Sequence, residues 1–126
     1  MLKITPTFIV EKVEPTVNFM TERLEFMKAM DVPGEDGLTF AMMVNGSVEI
    51  HIQARASVVK EMPYLGKSGN PPSSFVYIDV ADVNSLYEKL KDADILLPIE
   101  KTFYGATHFF VREPGGHVFG FSQNEG

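Results

Sequence analysis

The chain has 126 residues, 44% hydrophobic and 22% charged, which suits one soluble domain or two half-size modules sharing a core. Its net charge is −6, and its 11 basic residues are scattered, so the concentrated positive footprint of nucleic-acid binding is excluded. There is no cysteine, which excludes disulfides and thiolate chemistry. No run approaches the ~18 apolar residues of a membrane span and no secretory leader opens the chain, so a cytoplasmic protein is expected.

Residues 3–10 alternate loosely and carry Ile4, Thr7, Phe8 and Val10, which predicts a strand, with Pro6 tolerated near its beginning. Glu14-Pro15 opens a helix, and Val17, Met20, Leu24 and Met27 are spaced for one apolar face. Periodicity alone lets that helix stop near Leu24 or run to Met30. Pro33-Gly34-Glu35-Asp36-Gly37 reads as a loop, residues 38–44 as a strand, Asn45-Gly46 as a tight turn and residues 48–54 as a strand. Residues 57–65 have room for one or two helical turns. Gly66-Lys67-Ser68-Gly69-Asn70-Pro71-Pro72-Ser73 is a linker by composition and divides the chain into modules 1–65 and 74–126.

After the linker the pattern restarts. Residues 75–80 read as a strand. Asp82 is an N-cap, and Val83, Leu86, Tyr87 and Leu90 form a helix face. Residues 95–103 read as a strand interrupted by Pro98. The order strand, helix, strand, strand, turn, strand thus occurs twice, with Val10 and Val80, and Gly46 and Gly116, each 70 residues apart.

The last stretch is the most specific: Arg112-Glu113-Pro114-Gly115-Gly116-His117-Val118-Phe119-Gly120-Phe121-Ser122-Gln123. Pro followed by Gly-Gly is a turn signal between two apolar runs, which reads as a hairpin. A strand, then (Glu/Asp)-Pro-x-Gly-(His/Asn), then a final strand resembles the closing hairpin of the glyoxalase/bleomycin-resistance/dioxygenase superfamily, also called vicinal oxygen chelate proteins. The resemblance extends from Ile4 to Gln123. It implies an α+β fold of two βαβββ modules that form a curved, cup-like mixed sheet with helices on its outer face. It also favours the early helix stop, with a strand over 26–32. The family often has Gly after the helix-ending Leu, where this chain has Glu25.

Many members hold a divalent metal in the cup, with ligands on the first and last strands of each module. Carried over to this chain, those positions fall on Thr5, on Glu49 or His51, on Phe75 and on Gly120. Phe75 has no donor atom and Gly120 has no side chain, so the expectation is no metal and no cofactor. A rebuilt set using Glu49, His51, Asp79 and His108 is the weaker reading, since His108 beside two Phe residues suits a packed histidine and His117 suits a turn.

Strand alternation then predicts the cup lining. Thr7, Glu49, His51, Gln53, Phe75, Tyr77, Asp79 and Ser122 should face the cup, with Tyr104 and residues 57–65 at its rim. Aromatic rings with a few polar groups suit a small-ligand pocket better than a solvated sheet face. The resemblance is to the metal-free, bleomycin-resistance-like branch. It implies a binding protein that sequesters a planar or aromatic, neutral or cationic ligand, working as a homodimer. The alternative is a lyase, isomerase or dioxygenase using Glu49, His51 or Asp79 as acid–base groups.

Overall fold

Each half of the chain runs strand, helix and three strands, and each makes one four-stranded mixed sheet. The computed structural model describes residues 3–61 and 74–125. The chain divides into two compact units, Met1–Asn70 and Pro71–Gly126. The expected linker 66–73 lies outside the described residues.

In the first unit the elements are β1 (Thr7–Val10), α1 (Val13–Leu24), β2 (Met27–Gly34), β3 (Gly37–Asn45), β4 (Val48–Ala54) and α2 (Arg55–Glu61). The sheet order is β1-β4-β3-β2, with β1 parallel to β4 and the other pairs antiparallel. The second unit has β5 (Val76–Asp79), α3 (Val83–Leu90), β6 (Asp94–Lys101), β7 (Ala106–Arg112) and β8 (Val118–Asn124). Its order is β5-β8-β7-β6, again with the first strand parallel to the last. This is the α+β, twice βαβββ arrangement that the repeated element order predicts, with α2 in addition.

Period-two alternation sets the faces of each sheet. On β4, Ile50, Ile52 and Ala54 are buried under α1 and α2, and Glu49, His51 and Gln53 turn to the open face. α1 buries Val13, Val17, Phe19, Met20 and Leu24. In the second unit α3 packs on β6, β7 and β8 over Phe109, Val111, Phe119 and Phe121. Asp82 caps α3 by accepting from the Ser85 N–H at 3.1 Å, and that bond holds its carboxyl below the usual aspartate range.

Several boundaries move. β1 begins at Thr7 rather than residue 3, because Pro6 has no N–H to donate. Its carbonyl still accepts from the His51 N–H at 3.0 Å. α1 ends at Leu24, and Met27, expected on its apolar face, opens β2 with its side chain exposed. The expected loop 33–37 shrinks to Glu35-Asp36, since Pro33 pairs with Leu38 and Gly34 with Gly37. The Glu14 carboxylate pins this corner by accepting from the Leu38 N–H at 2.7 Å, which lowers its pKa. The next turn is Gly46-Ser47, not Asn45-Gly46. Asn45 stays paired with Val48 while its side chain donates to the carbonyls of Leu24 and Glu25. α2 starts two residues earlier than expected, and residues 62–65 of that rim candidate lie outside the described residues. β6 stops at Lys101, with register shifts on both sides of Leu97, next to Pro98.

The stop of α1 carries a prediction. Glu25 sits at φ 59° in the left-handed region, and the Phe26 N–H closes back on the Met20 carbonyl at 3.0 Å. An L-residue pays ~1–2 kcal/mol for that conformation, partly offset by glycine's larger unfolded-state entropy. Glu25→Gly is therefore expected to stabilise the protein by about 0.5–1 kcal/mol, read as a higher urea midpoint at unchanged slope.

Candidate functional site

The open face of the second sheet is aromatic. Tyr77 on β5 is in register with Gly120 on β8, which is in register with Phe110 on β7. In-register residues on neighbouring strands point to the same face, so a glycine lies between two rings. A Cβ built on Gly120 would lie 2.6 Å from Phe110 Cε2 and 2.8 Å from Tyr77 Cδ1. The two rings close over the glycine, their centroids 6.0 Å apart. Phe75 joins them edge-on, 5.1 Å from Phe110 and 6.3 Å from Tyr77. Phe75 and Tyr77 are 56% and 42% exposed, so this is a surface on which a flat molecule can stack.

Polar groups edge the aromatic floor. The Tyr77 hydroxyl lies 2.8 Å from His108 Nδ1 and 3.4 Å from the Tyr104 hydroxyl. His108 Nε2 lies 3.3 Å from Glu100 Oε1. The hydrogen bond with Tyr77 raises the Tyr104 phenol above its ordinary pKa. Asp79 is exposed and in register with Ser122, which shares its face but is 1% exposed between Asp79 and His108 and offers a ligand almost no surface.

The open face of the first sheet carries the other expected residues. Thr7 is in register with His51. His51 Nε2 lies 2.6 Å from Glu49 Oε2, and Lys3 Nζ is 2.6 Å from Glu49 Oε1. The hydrogen bond from Lys3, then that from His51, holds the Glu49 carboxyl below the usual glutamate range. Phe40 packs edge-on to His51 at 5.0 Å, and Gln53 donates to the Ser57 hydroxyl at 3.1 Å. A separate cleft of about 540 Å³ lies beside the start of α1, walled by Glu11, Glu14, Glu35 and Asp36 among others. There Glu14 already holds Leu38 and Glu11 pairs with Arg55.

The residues in the family's ligand positions do not fit a metal. A ligating carboxylate at 120 would need the space that Phe110 and Tyr77 fill, and Phe75 presents carbon only. Among the described residues no group of three or more His, Cys, Asp or Glu is placed to hold a cation. Sequence reasoning missed Phe110 and Glu100, whereas His108 is the packed, hydrogen-bonded histidine that its place beside two Phe residues suggests. A glycine inside a strand marks close approach by a neighbour, and that signal at Gly120 could have led to the ring pair.

Residues 4–121 match the sequence profile described as the Glyoxalase/Bleomycin resistance protein/Dioxygenase superfamily. A search of curated protein sequences finds no match. Among solved structures, the chain is similar to a bleomycin-binding protein from bleomycin-producing Streptomyces verticillus complexed with copper(II)-bleomycin. That match has TM-score 0.65 and 21% identity, covering 99% of this chain and 98% of that one. It is also similar to TioX from Micromonospora sp. ML1, with TM-score 0.75 and 17% identity, covering 98% and 99%. A glyoxalase-related enzyme from Fulvimarina pelagi matches with TM-score 0.79 and 15% identity over 98% and 89%. At these identities the likeness is one of fold.

Proposed function

This chain belongs to the glyoxalase/bleomycin resistance protein/dioxygenase superfamily, and from that premise we propose that it binds a small planar molecule, neutral or cationic, without using a metal. The observation that carries the reading is the ring pair over Gly120, an aromatic floor at the place where other members present a metal-binding carboxylate. Exposed carboxylates at Asp79 and Glu100 favour a cation over an anion beside that floor. A similar fold named as bleomycin-binding supports sequestration, and there the copper is part of the named ligand.

The proposal extends to a homodimer in the cytoplasm. A stacked ligand leaves its other face in water unless a second wall covers it, and two-fold pairing is the commonest source of one. Exposed Met27, Met30 and Val32 on β2 and the fully exposed Phe103 ring are apolar surface that a second copy would bury. A cysteine-free chain asks nothing of an oxidising compartment.

The test is calorimetric titration with 9-aminoacridine, a planar cation, against naphthalenesulfonate, a planar anion. The cation is expected to bind and the anion to bind much more weakly. Tyr77→Ala should weaken the cation by about tenfold, the loss of one aromatic stacking partner. Equal binding of both dyes, unchanged in Tyr77→Ala, would overturn the site. Light scattering at micromolar protein should give twice the chain mass, and a monomer mass would overturn the dimer.

The 2.6 Å contact between Glu49 and His51 favours a second reading, an enzyme of the superfamily in which these residues, or Asp79, move protons. A substrate screen separates the two, since turnover abolished by His51→Ala belongs only to the enzyme.

A further inference from the structure

One hydrogen-bonded chain on the second sheet has a polarity that binding alone does not need. A carboxylate only accepts, so the Glu100 contact at 3.3 Å requires His108 to carry its proton on Nε2. Nδ1 is then bare and accepts, at 2.8 Å, from the Tyr77 hydroxyl. The Tyr77 oxygen in turn accepts from the Tyr104 hydroxyl at 3.4 Å. The raised pKa of Tyr104 agrees with its keeping the proton that it donates.

His108 is 8% exposed, whereas Tyr77 at 42% opens to solvent beside the stacking floor. The arrangement is a buried imidazole, oriented by a carboxylate, behind an accessible hydroxyl. Groups in that order activate hydroxyls in other settings. Within the unit, the other groups on this face are Asp79 on β5, uncharged Gly120 and Ser122 on β8, Phe110 on β7, and Arg112 at the far end of β7, paired with Asp94 at 3.3 Å. No cation lies next to His108 among these described residues, so an imidazolium formed there has Glu100 as its counter-charge, with Asp79 one strand further away beyond Ser122.

We propose that Tyr77, with His108 and Glu100 behind it, is a general base that removes a proton from a planar aromatic molecule lying on Phe75 and Phe110. In the step, the substrate's X–H bond breaks and its proton goes to the Tyr77 oxygen. The Tyr77 O–H proton passes to His108 Nδ1, and the electron pair stays on the substrate. Nothing is oxidised, and no further reactant is needed. Tyr77 touches the substrate, whereas His108 and Glu100 act through it as positioning residues. The proposal rests on the stacking site and adds chemistry to it.

The probe is nitrobenzisoxazole, a neutral planar molecule from which a base removes the C–H on the carbon next to the ring nitrogen. As that C–H breaks, its electron pair forms the nitrile, the ring N–O bond opens, and a coloured phenolate leaves. Nitrobenzotriazole, a planar mimic that cannot open, reports binding separately. Wild type is expected to open the ring at least tenfold faster than Tyr77→Phe, and Tyr87→Phe, altered on the helix-covered face, should match wild type. Glu100→Gln, at a side chain 52% exposed, should lower kcat while leaving nitrobenzotriazole binding unchanged, because the imidazole that receives the proton loses its counter-charge. His108→Gln should reduce the rate to that of Tyr77→Phe. Binding of nitrobenzotriazole with no rate difference between wild type and Tyr77→Phe would overturn the relay and leave the binding site standing. Absence of any binding would overturn the site itself. A kcat unchanged in Glu100→Gln would reduce His108 and Glu100 to packing.

Discussion

Gly120→Ala is expected to lower stability by about 2–3 kcal/mol, a large effect for one methyl group. The added Cβ would sit 2.6 Å from Phe110 Cε2, 2.8 Å from Tyr77 Cδ1 and 3.0 Å from Phe110 Cδ2. These are carbon–carbon distances well inside van der Waals contact, so at least one ring must leave its rotamer or the strand must shift. Overpacking of this kind typically costs ~1–3 kcal/mol. The site lies mid-strand with ladder partners on both sides, which limits backbone relief. Thermal melting should show a drop of several degrees. Gly120→Ala combined with Phe110→Leu should recover part of it, because the branched side chain can yield where the ring cannot. A single variant that melts like wild type would mean that the rings do not close over the glycine. Gly120→Glu, which supplies the family's missing carboxylate, should fall further still, and Zn²⁺ or Mn²⁺ should not restore it.

Glu113→Ala is expected to cost about 2–4 kcal/mol and to loosen the closing hairpin. Glu113 is 1% exposed although it carries a carboxylate at a turn. Its side chain accepts from the Gly115 N–H, while its own N–H donates to the His117 carbonyl at 2.8 Å. The Gly116 N–H returns to the Glu113 carbonyl at 2.9 Å, and Gly116 takes φ 99°, which glycine adopts without strain. Removing the carboxylate leaves a half-buried donor unmatched, at ~1–3 kcal/mol, and opens a void beneath the turn. Glu113→Gln keeps both the volume and an accepting oxygen, so it should lose less than half as much. Urea unfolding of the two variants checks this, and equal losses would assign the effect to charge rather than to packing and the turn bond.

The fold was legible in the sequence wherever a local rule decides it. Period-two alternation over 48–54 placed Ile50 and Ile52 inward and Glu49 and His51 outward. Asp82 before Val83 marked a helix start, and Pro114-Gly115-Gly116 marked a turn. Register was less legible. Asn45 looked like a turn residue because its type favours turns, but its side chain is engaged by the end of α1, a contact between elements that no local window contains. The site divides in the same way. Phe75, Tyr77 and Asp79 were placed on one face by alternation along one strand. Phe110 was not, because it meets Tyr77 only through two strand pairings across Gly120. Glu100 was hidden further by the irregular register of β6 around Pro98, where counting by twos fails.

The parallel pairing at the edge of each sheet bears on how the chain folds as it is made. β2, β3 and β4 join through tight turns and can zip up as they leave the ribosome, whereas β1 must wait as a bare strand until β4 follows. In the same way β5 waits for β8. Since each waiting strand is claimed by the last strand of its own sheet, the first unit can complete its sheet before the second is synthesised. The nascent chain then presents one unpaired early strand at a time rather than two.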